Sequence, residues 1–257
     1  SEPKLKQPRW RGEDLNGKTI LVIGEQGHGD CIQFLRFCVQ LKQRGATVKL
    51  QVTDGLVPLL ANASSEVISA VGYYTSDMGE FDYWVPIMSI PGILGVTLDN
   101  LPQILSYLGA DQNSSKQWLN ILGPKNKMRI GFCWSGRRDT WLNRHKGLPF
   151  ESILSLIKSN PDYEWINLQV DCTDEENKQL ASVGVNCYPG AIKDFSDTAA
   201  LILNLDVVLS VDTAIAHLAG ALGCNAFVAL KFIPDWRWLM DTNFSPWYKS
   251  LKLFRDR

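Results

Sequence analysis

The chain has 257 residues, 45% of them apolar and 21% charged, which excludes wholesale disorder and collagen-like or low-complexity classes and allows one large domain or two small ones. Its 26 Lys+Arg against 27 Asp+Glu give a formal charge of −1, so no basic surplus exists to hold a phosphate backbone, and nucleic acid is not an expected partner. No apolar run reaches the roughly 18 residues of a membrane span, and the polar, basic stretch Ser1 to Gly12 does not read as a secretory signal.

Pro3, Pro8 and Asn16-Gly17 mark an entry segment and a turn. Thr19–Ile23 is a near-continuous apolar run, as expected of a strand buried on both faces. A glycine-rich turn, 24–30, leads into a helical pattern that Gly45 closes. A second strand over Thr47–Val52 makes this a βαβ unit, and 55–61 reads as a short helix. Short strands are expected at Val67–Ala70 and Tyr83–Ile87, and Pro86, Pro91 and Pro102 break up the rest of the stretch to Gly109. Residues 110–127 connect the halves, with a helix near Ser115–Leu122 closed by Gly123-Pro124.

A second α/β series comes next, with strands at Met128–Trp134, Glu164–Leu168, Val185–Cys187, Val207–Ser210 and Ala226–Leu230. Helices are expected at Phe150–Lys158, Thr173–Val183, Ser196–Asn204 and Thr213–Leu222. The tail from Phe232 is rich in aromatics, and Trp236, Trp238, Trp247 and Tyr248 are expected to pack back on the body. The pattern is that of two Rossmann-like halves, and ligands in such sheets sit beyond the carboxyl ends of the strands, at the turns 24–30, 134–147, 169–173 and 210–214. The six cysteines form no C-x-x-C pair and no His sits at zinc-ligand spacing, so reduced, mostly buried thiols and a cytoplasmic location are the expectation.

Glycines at 24, 27 and 29 stand in the order G-x-x-G-x-G, not the G-x-G-x-x-G of a dinucleotide fingerprint, although Asp54 after the second strand keeps a dehydrogenase reading open. Asp30 opens the helix at the cleft-facing end of the sheet, where a carboxylate serves as general base or as a helix cap. Glu25 and His28 are its rivals. The stretch Ser210 to Ala221 runs an apolar strand into an Ala/Gly-rich helix, whose N-terminus at Asp212, Thr213 and Ala214 suits a diphosphate. Asp212 is an awkward neighbour for an anion and fits better as a cap or a partner for a sugar hydroxyl; the helix is expected to start at Asp212 or Thr213. His217 shares a helix face with Thr213. The loop Trp134-Ser135-Gly136-Arg137-Arg138 and its continuation through Asn143, Arg144, His145 and Lys146 offers cations for a phosphate, or is a solvated basic loop.

Several stretches in order resemble the catalytic region of bacterial tetratricopeptide-repeat-linked glycosyltransferases, related to ADP-heptose:lipopolysaccharide heptosyltransferases and more distantly to O-GlcNAc transferase. They are Pro8-Arg9-Trp10-x-Gly12, Glu25-Gln26-Gly27-x-Gly29-Asp30-x-Ile32-Gln33-Phe34, Gly131-x-x-Trp134-x-Gly136, Leu168-Gln169 and Asp194-Phe195-x-Asp197-Thr198-Ala199-Ala200. Ser210-Val211-Asp212-Thr213-x-x-Ala216-His217-Leu218-Ala219-Gly220, Pro234-Asp235-Trp236-Arg237-Trp238 and Ser245-Pro246-Trp247-Tyr248 complete the series.

The resemblance implies an α/β fold of GT-B type, two Rossmann-like domains facing across a cleft. Residues 1–110 would form the acceptor domain, 111–127 a linker, and 128–257 the nucleotide-sugar domain, whose tail crosses back. It implies an inverting, metal-independent glycosyltransferase using a nucleotide-diphosphate sugar, with Asp30 as catalytic base. Trp134, Ser135, Gly136, Arg137, Gln169, Asp212, Thr213, Ala214 and His217 would meet the donor, and Gly27, His28, Gly29 and Gln33 the acceptor, a glycan or protein hydroxyl. No cofactor and no metal are expected; no D-x-D pair is present. Two departures stand out: Val170 occupies the place after Leu168-Gln169 where such enzymes often carry Lys, and no repeat helices precede Pro8, so the repeats were either removed or never attached. The alternative is a non-catalytic nucleotide- or glycan-binding module of the same fold.

Overall fold

The computed structural model describes residues 3, 5–63, 68–72, 78–136 and 147–255. Arg137, Arg138, Asn143, Arg144, His145, Lys146 and Val67 lie outside the described residues. Two all-parallel sheets are formed. The first runs β3-β2-β1-β4, from β1 (Thr19–Ile23), β2 (Thr47–Val52), β3 (Ile68–Gly72) and β4 (Tyr83–Pro86). The second runs β6-β5-β7-β8-β9, from β5 (Arg129–Cys133), β6 (Glu164–Asn167), β7 (Val207–Val211), β8 (Ala226–Leu230) and β9 (Leu251–Arg255). Each order reverses beside its first strand, between β1 and β4 and between β5 and β7. Such a reversal opens a crevice at the carboxyl ends, because the flanking connections leave on opposite faces.

The helices are α1 (His28–Gln43), α2 (Val57–Ala63), α3 (Ile90–Ile93), α4 (Gln112–Leu122), α5 (Phe150–Lys158), α6 (Asp174–Ser182), α7 (Phe195–Ile202) and α8 (Ala214–Ala221). Side chains cap several of them: Asp111 accepts the Ser114 N–H at α4, Thr173 and Glu176 form a capping box at α6, and Asp194 accepts from Ser196 and Asp197 at α7. None of the described helices is long and apolar enough to cross a membrane.

One buried apolar cluster runs without a break from Trp10 and β1 through α1, α7 and α8 to Trp238, Trp247, Tyr248 and Leu253. The two sheets therefore share a core, and the seam is α1 against α8. Small residues make that seam close. Ala216, Ala219 and Gly220 are fully buried, and a Cβ on Gly220 would lie 2.4 Å from the Tyr248 ring. A smaller cluster around Phe132, Trp134 and Trp165 fills the outer face of the second sheet.

Three expectations are corrected. Val185–Cys187 does not form a strand; Asn186 makes a lone bridge to Ile166, because the chain turns away after one residue. The tail holds an unforeseen strand, β9, which extends the second sheet beside β8. Trp238, Trp247 and Tyr248 are buried, as expected of packing against the body, but Trp236 is 58% exposed, its ring edge-on to Trp247 and covered on one side by the Arg237 guanidinium. All six cysteines are free. Burial pushes the Cys31, Cys38 and Cys133 thiols up to about 12, so these are inert core groups.

Candidate active site

The turns at the carboxyl ends of β1, β5, β7 and β8 converge on a cleft with two joined parts. One, of about 270 Å³, is lined by 26–30 and Thr53 from the first half and by Asp212, Thr213, Ala214, His217, Asp235 and Arg237 from the second. The other, of about 370 Å³, lies among Ser135, Gln169, Val170, Ile192, Phe195 and Ile215. His28, Gly136, Thr213 and Ala214 line both. A separate hollow of about 230 Å³ near Gln40 and Asn100 lies at the far end of α1, and none of the turns at the carboxyl ends of the strands lines it.

The first wall is the start of α1. The helix begins at His28, two residues before Asp30, with Gly27 as its N-cap. Asp30 is thus the third residue of the helix, and one carboxylate oxygen accepts the Gly27 N–H at 2.8 Å. The N-cap expected at Asp30 is Gly27 instead, and Asp30 supports it from the third helical position. The other oxygen accepts from the Arg237 guanidinium, so the carboxylate is held from both halves of the chain. Glu25 is engaged elsewhere: its carboxylate accepts the Met88 N–H at 3.2 Å, tying the β1 turn to the segment after β4. The His28 ring packs on Phe195, 4.9 Å between centroids, at the join of the two parts. Gly29 has no room for a side chain: a Cβ there would lie 2.8 Å from His217 Cδ2 and 3.4 Å from Ala214 Cα.

The second wall is the start of α8. The helix begins at Ala214, and the cap is Thr213, not Asp212: the Thr213 hydroxyl accepts the Ile215 N–H at 3.3 Å and lies 3.0 Å from the Ser210 hydroxyl. Asp212 lines the cleft beside it. A helix N-terminus carries backbone N–H groups without intrahelical partners and the positive end of the helix dipole, which favours anions. His217, one turn on, is buried against Trp238, and its Nδ1 lies 3.0 Å from the Tyr248 hydroxyl. Burial, opposed by the nearby Asp212 carboxylate, lowers its pKa to about 4, so the imidazole is neutral at pH 7. The Ser135 N–H donates to Gln169 Oε1 at 3.1 Å, and the Gln169 amide donates to Asp171. This network stiffens the wall below exposed Val170.

Two candidates stand away from the cleft. Trp134 is buried in the smaller core cluster, stacked near Phe132 and Phe150, so its ring is a packing element. Gln33 is fully buried, and its Oε1 accepts from Arg237 Nε at 2.8 Å. Arg137 lies outside the described residues. The remaining candidates, Gly27, His28, Gly29, Asp30, Ser135, Gly136, Gln169, Asp212, Thr213, Ala214 and His217, line one cleft. Arg237 was not singled out in the sequence as a site residue. Its one signal there is membership of the Pro234-Asp235-Trp236-Arg237-Trp238 stretch.

No family model matches the chain. Protein FlbA of Caulobacter vibrioides is 27% identical over 278 aligned positions covering 98% of this chain; the chain spans 46% of that protein's length. The structure of the E. coli ADP-heptose LPS heptosyltransferase II superposes with a TM-score of 0.69 at 16% identity, covering 93% of this chain and 91% of that one. A glycosyl transferase family 9 protein from Veillonella parvula superposes with a TM-score of 0.71 at 12% identity, covering 96% and 88%. The parallel-sheet α/β fold is the one these glycosyltransferases share.

Proposed function

We propose that this chain is a glycosyltransferase of GT-B type that moves a sugar from a nucleoside-diphosphate donor to a hydroxyl acceptor, with inversion and without a metal ion. Residues 1–110 form the acceptor half, 111–127 the linker and 128–257 the donor half. The observation that carries the reading is the meeting of two helix starts across one cleft: a carboxylate, Asp30, on α1 faces the dipole end of α8. The donor diphosphate docks at Thr213 and Ala214, and its nucleoside lies along the part of the cleft lined by Gln169, Val170 and Ile192. Asp30 takes the proton of the acceptor hydroxyl. The oxygen attacks the anomeric carbon on the face opposite the phosphate, and the bond to phosphate breaks with its electron pair leaving on the nucleoside diphosphate. The α8 dipole stabilises that departing charge. The likeness to the ADP-heptose-using E. coli enzyme supports a donor of this class. Six free cysteines fit a reducing cytoplasm.

A panel of nucleoside diphosphates and their sugars, read by thermal shift, identifies the donor, since a ligand at about 100 times its Kd stabilises by about 2.7 kcal/mol. Asp30→Asn keeps the shape and removes the basicity. Transfer is expected to fall roughly 10²- to 10⁴-fold with donor affinity nearly unchanged. Full transfer by Asp30→Asn together with loss in His28→Ala would move the base to His28. A second reading, binding without transfer, is favoured by Val170, which places no cation beside the cleft where a departing phosphate would need one. Donor binding with neither transfer nor hydrolysis would establish it.

A further inference from the structure

Arg237 sits in a short 3₁₀ turn (Trp236–Trp238) after β8, 207 residues from Asp30 in sequence. The residue is only 6% exposed, and each nitrogen of the guanidinium has its own partner. Nε donates to Gln33 Oε1 on α1 at 2.8 Å, Nη1 donates to Asp235 Oδ1 at 2.8 Å, and Nη2 donates to Asp30 Oδ1. The turn itself is pinned. The Arg237 N–H donates to Asp235, and its carbonyl accepts the Trp247 indole N–H at 2.9 Å. The guanidinium also lies 4.6 Å from the Trp236 ring centroid. A planar fork with five N–H groups and no freedom to shift is suited to fixing a carboxylate in one orientation. With the Gly27 N–H on the other oxygen, the Asp30 carboxylate is held by two donors from distant parts of the chain.

We propose that Arg237 is the positioning residue of the base: it fixes the plane of the Asp30 carboxylate so that a lone pair remains directed to the acceptor hydroxyl. The proposal rests on the reading of Asp30 as general base. Arg237 itself takes no proton. It holds the acceptor of the proton still, and a misplacement of about 1 Å at a reacting group costs about 100-fold in rate. Gln33 extends the same device, since it anchors the guanidinium from α1, the helix that carries Asp30.

Two measurements on the full chain test this. The first follows ADP release from ADP-heptose in Arg237→Ala, Arg237→Lys and Asp30→Asn. In Arg237→Ala kcat is expected to fall about 10- to 100-fold with the donor KM within about twofold, to recover partly in Arg237→Lys, and to recover partly when free guanidinium is added. The second needs no turnover: hydrogen exchange over residues 24–31 is expected to quicken about tenfold in Arg237→Ala, because the Gly27 N–H loses a fixed charged acceptor. Unchanged exchange there overturns the positioning role, whether or not ADP-heptose is turned over. A fall in kcat that neither lysine nor guanidinium restores also overturns it, since that marks a structural loss. Full transfer by Asp30→Asn is a different failure: it removes the base assignment, while the exchange result still reports on the carboxylate's support.

Discussion

The seam between α1 and α8 can be tested by adding a single methyl group. Gly29 lies in the first turn of α1, where its Cβ would stand 2.8 Å from His217 Cδ2 and 3.4 Å from Ala214 Cα. Real Cβ atoms do not approach so closely, so either the ring or the helix must move. The ring has little freedom: it is 4% exposed, stacked on Trp238 at 5.2 Å, and tied to Tyr248 at 3.0 Å. Gly29→Ala therefore pushes the helices apart. Overpacking of this kind costs about 1–3 kcal/mol, and the helix preference of Ala over Gly returns up to about 1 kcal/mol. A net loss of about 1–2 kcal/mol lowers Tm by roughly 2–6 °C in a chain of this size. Gly92→Ala is the control, since nothing lies within 4 Å of its Cβ and the residue sits in α3; its melting temperature should hold or rise. Thermal unfolding followed by circular dichroism reads both. A Gly29→Ala protein that melts at or above the parent temperature refutes the close approach of the two helix starts, and with it the shape of the cleft.

Two further outcomes concern buried charge. His217 has a folded pKa of about 4 against 6.5 unfolded, so between those values the unfolded chain binds more protons and stability falls as pH drops. Above pH 6.5 the group contributes nothing. Urea unfolding from pH 7 to pH 4 should show a loss of about 3 kcal/mol from this residue, absent in His217→Asn; equal pH slopes in the two proteins would contradict the buried neutral imidazole. Arg129 is 1% exposed, pairs with Glu164 at 2.8 Å and donates to the Leu122 and Gly123 carbonyls. Arg129→Met leaves those acceptors stranded and should cost about 3 kcal/mol, partly recovered when Glu164→Gln is added. A cost under about 1 kcal/mol would show that solvent reaches the pair.

Where period and composition alone decide structure, the sequence was readable to the residue. Thr19–Ile23, Thr47–Val52, Ala226–Leu230 and Phe150–Lys158 stand as their apolar runs and helical spacing predict. Helix starts moved by a residue or more because caps are local competitions: Thr213 outcompeted Asp212, and Gly27 let α1 begin ahead of Asp30. Strand β9 was hidden by the aromatics around it, although Leu251 and Leu253 alternate with Lys252 and Phe254 as a half-buried strand should. Trp134 continues the apolar strand run through Phe132 and Cys133, and that run marks core more strongly than the nearby Gly136 marks a site. Gln33 lies within Cys31–Cys38, a run of α1 that is buried on every side, so its motif match did not imply access to the cleft.

The arrangement of Arg237 has a consequence for how the site is assembled. Periodicity and turn chemistry are local signals, and no local signal links a guanidinium near one end of a chain to a carboxylate near the other. The link arises because the tail is tied to α1 at two points. Arg237 reaches Gln33 and Asp30, and fully buried Arg36 donates to the Trp247 carbonyl at 2.6 Å while lying among the Tyr107, Trp247 and Tyr248 rings. An arginine whose charge is met by aromatic faces and carbonyls inside a core holds its neighbours in one arrangement, because every displacement strands a buried donor. The same Tyr248 hydroxyl contacts His217 on α8. Helix α1, helix α8 and the tail are thus coupled through one buried polar network directly behind the cleft. The tail therefore touches both walls of the cleft, Asp30 through Arg237 and His217 through Tyr248, so a substitution in the tail that breaks this network acts on both.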